Sequence, residues 1–243
     1  MTSSYTTPIL LYHRIVNSQS PIGKQKIYVW EKKFREQMIF LKKNNYETIT
    51  FHDLPNTSNA KRVLLTFDDG YEDNYTILFP ILKEFGFKAV IYLVTKCSYN
   101  EWATKEGEPE LKLMNKEMIR EMRDYGIEFG GHTRTHVDLK KTSNENLYEE
   151  ISGCKKDLED IIEKTAISFA YPFGAYNDET LQAVRKAGYQ YGITTIFGPK
   201  QWQDDRMRIR RIEVRPNTTL WSFKNKVSGK YFERSIFNFY LGK

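Results

Sequence analysis

Cysteine is scarce in this chain: two in 243 residues, Cys97 and Cys154, far apart and matching no metal-ligand spacing. Nothing in their spacing points to a thiolate metal site, and two reduced, packed thiols are expected in preference to one disulfide. Long apolar runs are missing too. The N-terminal "MTSSYTTPILLYHRIV" carries an apolar stretch too short for a signal-peptide core or a membrane span, with no basic segment before it. As written, the chain reads as soluble and cytoplasmic; one trimmed of an export signal would read the same. No internal repeat, low-complexity tract or linker divides it, so residues 1–243 are expected to form one domain. Histidine is the most telling shortage, with four in all and none after His136.

What is present fits a globular protein: 40% apolar residues, including 16 Tyr and 15 Phe, suffice for a sizeable core. The formal charge of +6 admits anionic polymers, nucleic acid or an acidic membrane surface as partners. The basic residues are dispersed, however. The densest runs are "RMRIRRIEVR" (206–215) and "EKKFREQMIFLKK" (31–43), and the second has the spacing of a solvated helix face. No nucleic-acid partner is expected, and association with a membrane surface stays open.

Short β-rich runs alternate with amphipathic stretches. Strands are predicted at 8–13, 62–67, 88–94, 127–131, 167–171, 190–195 and 209–214. "RVLLTF" and "KAVIYLV" are continuously apolar, as strands covered on both faces must be. Between them come helical patterns. One places Trp30, Phe34, Met38 and Leu41 on one face, another starts or bends near Pro80 and stops at Gly86, and a third opens on an Asn177 cap. Repeated strand–helix units argue for a parallel sheet, open or closed into a barrel, with chemistry at the C-terminal strand ends.

The polar residues obey that rule. Asp68 and Asp69 end the run at 62–67, His132 and His136 follow the strand at 127–131, "YPFGAY" follows 167–171, and His13 ends the first strand. His52 reads as a loop or helix-start residue. Two adjacent carboxylates behind a buried strand are costly unless a positive charge neutralises them. His132 and His136, four apart, would share one face of a helical turn and grip an ion. Two imidazoles and a carboxylate leave coordination positions open, the arrangement of a catalytic metal. Zn²⁺ suits these donors, with Co²⁺, Ni²⁺, Mn²⁺ or Fe²⁺ as alternatives. One aspartate would then hold the ion while its neighbour takes a proton from water, which is metal-assisted hydrolysis.

"TFDDGY", "HTRTH" and "YPFG" together resemble the polysaccharide deacetylases, the NodB-homology or carbohydrate esterase 4 family. The resemblance runs from "ILLYHRI" to "RRIEV" and implies a distorted (β/α) barrel of about seven parallel strands that removes N-acetyl groups from amino sugars. It implies Asp68 as the general base, with Asp69, His132 and His136 as metal ligands. It further implies that "YPFG" lines the groove, with the backbone N–H of Phe173 donating to the oxyanion, and that Tyr171 and Pro172 contact substrate.

Two departures stand out. Many members carry an Arg just before the Pro motif to orient the base; here the segment is "FAYPFG", and Arg211 is the candidate replacement, with Arg210 the alternate. Many members also have a late leucine–x–histidine motif whose His protonates the leaving amine, and none exists here. A subgroup acting on β-1,6-linked poly-N-acetylglucosamine places that acid in an early "YH" motif. "LLYHRI" resembles it, making His13 the expected acid.

Aromatic rings often stack on pyranoses, and Tyr71, Trp102, Tyr176 and Trp202 are candidates, with core packing or loop anchoring the competing role of each. Other functions share these features. A two-His-one-carboxylate Fe(II) oxygenase would more often show a tight His-x-Asp pair on an all-β scaffold. A hydrolase of a non-sugar amide on the same fold stays open. So does a carbohydrate-binding relative without catalysis, although its usual signature, a replaced Asp or His, is absent.

Overall fold

The structure, a computed structural model, describes residues 7–54, 61–195 and 205–228. Among the described residues there are ten strands: β1 (Ile9–Tyr12), β2 (Arg14–Val16), β3 (Tyr28–Trp30), β4 (Tyr46–Ile49), β5 (Lys61–Phe67), β6 (Val90–Leu93), β7 (Glu128–Gly131), β8 (Ser168–Ala170), β9 (Tyr191–Ile193) and β10 (Ile212–Glu213). The main sheet runs β10-β1-β5-β6-β7-β8-β9, with β4 added on β5. Every described pairing between its strands is parallel. β4 pairs the first half of β5 and β6 the second half, while β1 pairs Leu64 to Phe67 on the other edge.

The segment after residue 205 closes the ring. Gly192 N–H donates to Arg206 O (2.7 Å) and Thr194 N–H to Ile209 O (2.8 Å), and Val214 N–H then donates to Leu11 O (2.9 Å). One stretch thus bonds both β9 and β1, which makes the sheet a distorted barrel. All seven predicted strands are found within it. β4, β2 and β3 were not predicted.

Period-two alternation sorts the strand side chains into two layers. Val63, Leu65, Phe67, Ile91, Phe129 and Phe169 join the helices' apolar faces in the larger core. Leu64, Val90, Tyr92, Ile193 and Ile209 fill the barrel interior. His13, Asp68, His132 and Arg211 share the inward parity of Ile9, Leu64, Glu128 and Ile209, so the strand pattern alone aims them at one place.

Several helices have a local reason to start or stop. Glu31–Lys43 buries Phe34, Met38 and Leu41, with Glu31 in the first turn and Lys42 and Lys43 in the last, matching its dipole. Asn177 caps its helix by accepting from Thr180 N–H. The chain from Asn74 begins as a wide turn, becomes α-helical from Phe79 with Pro80 in the first turn, and stops at Gly86 (φ 67°). A second wide turn, Glu149–Gly153, interrupts the helix that runs from Asn144 to Ile162. Both cysteines are free. No described helix is long and apolar enough to cross a membrane.

Candidate metal centre and active site

Asp68 continues β5 past its last paired residue, its N–H donating to Tyr12 O (3.0 Å). The chain then turns through two left-handed residues, Asp69 (φ 74°) and Gly70 (φ 77°). At residue 70 the positive φ favours glycine, and an added Cβ would also press on Leu93 Cδ2 at 2.5 Å, a side-chain end that can shift. The turn swings Asp69 away from Asp68's strand direction and into a buried cluster with His132 and His136.

One donor atom from each of these three residues lies within 4.8 Å of the others, and all three residues are buried. Asp69 Oδ1 is 3.3 Å from each imidazole Nε2, yet it is buried without a hydrogen-bond partner among the described residues. Two donors of a tetrahedral zinc shell with bonds of ~2.0–2.1 Å stand about 3.3 Å apart, so the orphaned oxygen and its neighbours fit a shared cation. Burial alone would raise the Asp69 carboxyl pKa, but the two imidazoles outweigh it and hold the group well below the usual range. Burial also disfavours the charged imidazoles. It wins at His136, lowering its pKa, whereas at His132 the nearby carboxylates win and raise it.

His132 Nδ1 lies 2.7 Å from Ala170 O, a contact that fixes this ring and leaves Nε2 for the cluster. The loop to His136 is not the helical turn expected from the spacing. Thr133 (φ 65°) and His136 (φ 59°) are both left-handed, and His136 N–H donates to Thr133 Oγ1 (2.9 Å). Glu150, from the interrupted helix, accepts from the N–H groups of Arg134 (2.8 Å) and Thr135 (3.0 Å) and from Thr135 Oγ1 (2.6 Å). A helix forms its own backbone bonds; here a carboxylate and a threonine satisfy them, and the loop bends back on itself instead.

Arg211 is fully buried and forks onto Asp68, with Nη1–Oδ1 at 2.6 Å and Nη2–Oδ2 at 2.7 Å. Its Nε donates to Thr194 O (3.2 Å) and its Nη1 also to Thr66 Oγ1 (3.1 Å). Burial would raise the Asp68 pKa, but the guanidinium overcomes it and keeps the carboxylate ionised. Arg211, rather than Arg210, has the inward parity that this contact needs.

His13 is half-buried beside the pair, close enough for its charge to act on both aspartates. Asn74 Nδ2 donates to His13 O (2.9 Å), and the buried Arg14 next to it pairs with Asp73 (2.7 Å). "YEDN" thus ties the turn bearing Asp69 to the strand bearing His13. Across the site, Phe173 is left-handed (φ 58°) and 61% exposed, and its N–H has no acceptor among the described residues. A strained backbone donor on a residue packed against His136 suits an oxyanion.

The expected sugar contacts fare differently. Tyr71 and Tyr171 are buried, at 1% and 0% exposure, and Pro172 is buried as well, so none offers a face to substrate. Tyr171 donates to Met207 O (2.8 Å) and fastens the closing segment, while Tyr71 packs over Arg14. Tyr171 has the parity of Phe169 and joins the larger core, while the tight turn buries Tyr71 against Val94 and Leu113. Tyr176 is half-buried against Tyr171. Trp102 stacks on His136. Trp202 lies outside the described residues.

Sequence reasoning missed Thr66, Thr194, Asn74 and Glu150. Inward parity with Leu64 could have flagged Thr66, and the "DN" after the paired aspartates could have flagged Asn74. Glu150 had no local signal, since it meets the loop only through the fold.

Comparison with known proteins identifies the family and the fold. The polysaccharide deacetylase family model matches residues 55–192. The Bacillus subtilis protein YxkH is 32% identical over 232 residues, covering 93% of this chain and 76% of its own. The poly-β-1,6-N-acetyl-D-glucosamine N-deacetylase of Staphylococcus epidermidis is 26% identical over 230 residues, covering 84% and 78%. Among solved structures, the Streptococcus pyogenes deacetylase PplD in complex with acetate superposes with a TM-score of 0.78 at 28% identity, covering 91% of this chain and 98% of that one. A polysaccharide deacetylase from Bacillus cereus reaches 0.76 at 29% identity, covering 91% and 69%. This chain belongs to the polysaccharide deacetylase family, carbohydrate deacetylases that act on carbon–nitrogen bonds.

Proposed function

We propose that this protein is a metal-dependent N-deacetylase that hydrolyses the acetamido groups of N-acetylated amino sugars in an oligo- or polysaccharide. The observation that carries this reading is the buried Asp69–His132–His136 cluster beside an aspartate held by Arg211. Asp69, His132 and His136 would hold a divalent cation, Zn²⁺ best matching the donors, which would supply Lewis-acid polarisation and lower the pKa of water. Asp68, kept ionised by Arg211, accepts a proton from the attacking water. The Phe173 N–H donates to the developing oxyanion, and His13 gives a proton to the departing amine. Half-buried Tyr176 is a candidate for contact with the sugar.

The early position of His13 and the likeness to the Staphylococcus epidermidis enzyme favour β-1,6-linked N-acetylglucosamine as the first substrate to test. Acetate release from β-1,6- and β-1,4-linked oligomers, with and without chelator, provides the test. Chelator-sensitive release, restored by Zn²⁺ or Co²⁺, is expected. Release from simple amides alone would make the enzyme a non-sugar amide hydrolase. Tight oligosaccharide binding with neither ion binding nor acetate release would make it a binding protein.

A further inference from the structure

The two imidazoles of the cluster are supported in different ways. His132 has the usual outer partner of a metal-bound histidine, a carbonyl 2.7 Å from its Nδ1. His136 has none: its Nδ1 is buried and without a hydrogen-bond partner among the described residues. Its ring lies instead against Trp102, with centroids 4.3 Å apart and planes at 20°. Phe173 closes the edge at 4.8 Å and 76°.

Trp102 reaches this position on a built arm. Residues 95–115 leave β6 and return, and Asn100, 1% exposed, staples them. Asn100 Oδ1 accepts from Leu111 N–H (2.7 Å) and its Nδ2 donates to Pro109 O (3.0 Å). Backbone bridges Tyr99–Lys112 and Tyr71–Leu113 fasten the arm to the turn that carries Asp69. An imidazole with no hydrogen bond on its far nitrogen turns freely about its last side-chain torsion unless packing stops it. A near-parallel indole stops it, and covers one face from water.

We propose that Trp102 is a positioning residue for His136, its indole face doing for this ligand what the Ala170 carbonyl does for His132, and so setting the affinity for the ion. This rests on the metal-dependent reading above. Removal of an outer-shell support typically costs about 10–100-fold in metal affinity.

The test uses the full chain, stripped of metal and titrated with Co²⁺ against a chromophoric chelator, with the visible Co²⁺ spectrum recorded. Trp102→Ala should bind about 10–100-fold more weakly and show a changed spectrum. Trp102→Phe, which keeps an aromatic face, should recover most of the affinity. Trp102→Leu fills the space without that face and should behave as alanine does, which covers the case of an alanine variant that fails to fold. Native affinity and a native spectrum in Trp102→Ala or Trp102→Leu would overturn the proposal while leaving the metal site standing. Failure of the unaltered chain to bind Co²⁺ or Zn²⁺ would overturn both.

Discussion

Arg211 closes a two-pronged contact on Asp68 across 143 residues of sequence, and neither side chain meets solvent appreciably. Removing one partner of such a pair strands the other charge in a low-dielectric interior. Arg211→Met should therefore destabilise the fold by about 3–5 kcal/mol, read from the shift in urea midpoint. Arg211→Lys keeps a charge but cannot present the fork, so acetate release should fall further than stability does. Equal stability in Arg211→Met and the parent would contradict the buried pairing.

His13 gives a graded pair of variants. His13→Ala should lose about 10²–10⁴ in rate while retaining the ion, as expected when a proton donor is deleted. Asn74→Ala leaves the imidazole in place but removes the amide that holds its backbone carbonyl. It should lower kcat by a smaller factor and cost about 1–3 kcal/mol through the unsatisfied carbonyl. Metal content and kcat measured on both variants decide the matter. Loss of the ion in either would place these residues in the metal shell.

Asp73 sets a pH dependence with an unusual sign. Burial pushes its carboxyl up to about 6, even with the Arg14 guanidinium opposing. The folded state thus binds the proton more tightly than the unfolded chain does. That contribution is complete below the ordinary carboxylate pKa and is lost as pH rises through about 6. Asp73→Asn cannot titrate, so its urea midpoint should gain on the parent as pH rises from 4 to 7. A parent that instead gains on the variant over this range would mean that the Arg14 pair dominates.

Gly130 tests the close approach of β7 to its neighbours. A Cβ there would lie 2.4 Å from Tyr92 Cε1 and 2.7 Å from Ser168 O. The tyrosine ring can shift, but the β8 backbone cannot move without breaking sheet register. Gly130→Ala should cost about 1–3 kcal/mol or more by urea denaturation. A smaller loss would show that the barrel wall yields.

Seven strands were legible because burial on both faces writes continuous apolar runs, as in "VLLTF". "YETI" in β4 escaped because only its last two residues are fully buried. β2 and β3, three residues each, are too short to show a period. The clustering of Asp69, His132 and His136 was legible because such residues are few in a chain with four histidines. The shape of the loop carrying His136 was not, since it depends on Glu150 from a distant helix. Burial of Tyr71 and Tyr171 was hidden for a related reason: a tyrosine suits a sugar platform and a core alike, and only the turn geometry separates the two.

Four of the six described non-glycine residues with left-handed backbone, Asp69, Thr133, His136 and Phe173, belong to the site. Each such residue costs roughly 1–2 kcal/mol that glycine would recover. Selection for heat resistance and selection for turnover therefore pull these four codons in opposite directions. A library screened only for survival at high temperature should collect glycine and asparagine there and yield sturdy, inert protein. A library screened for acetate should keep the strain.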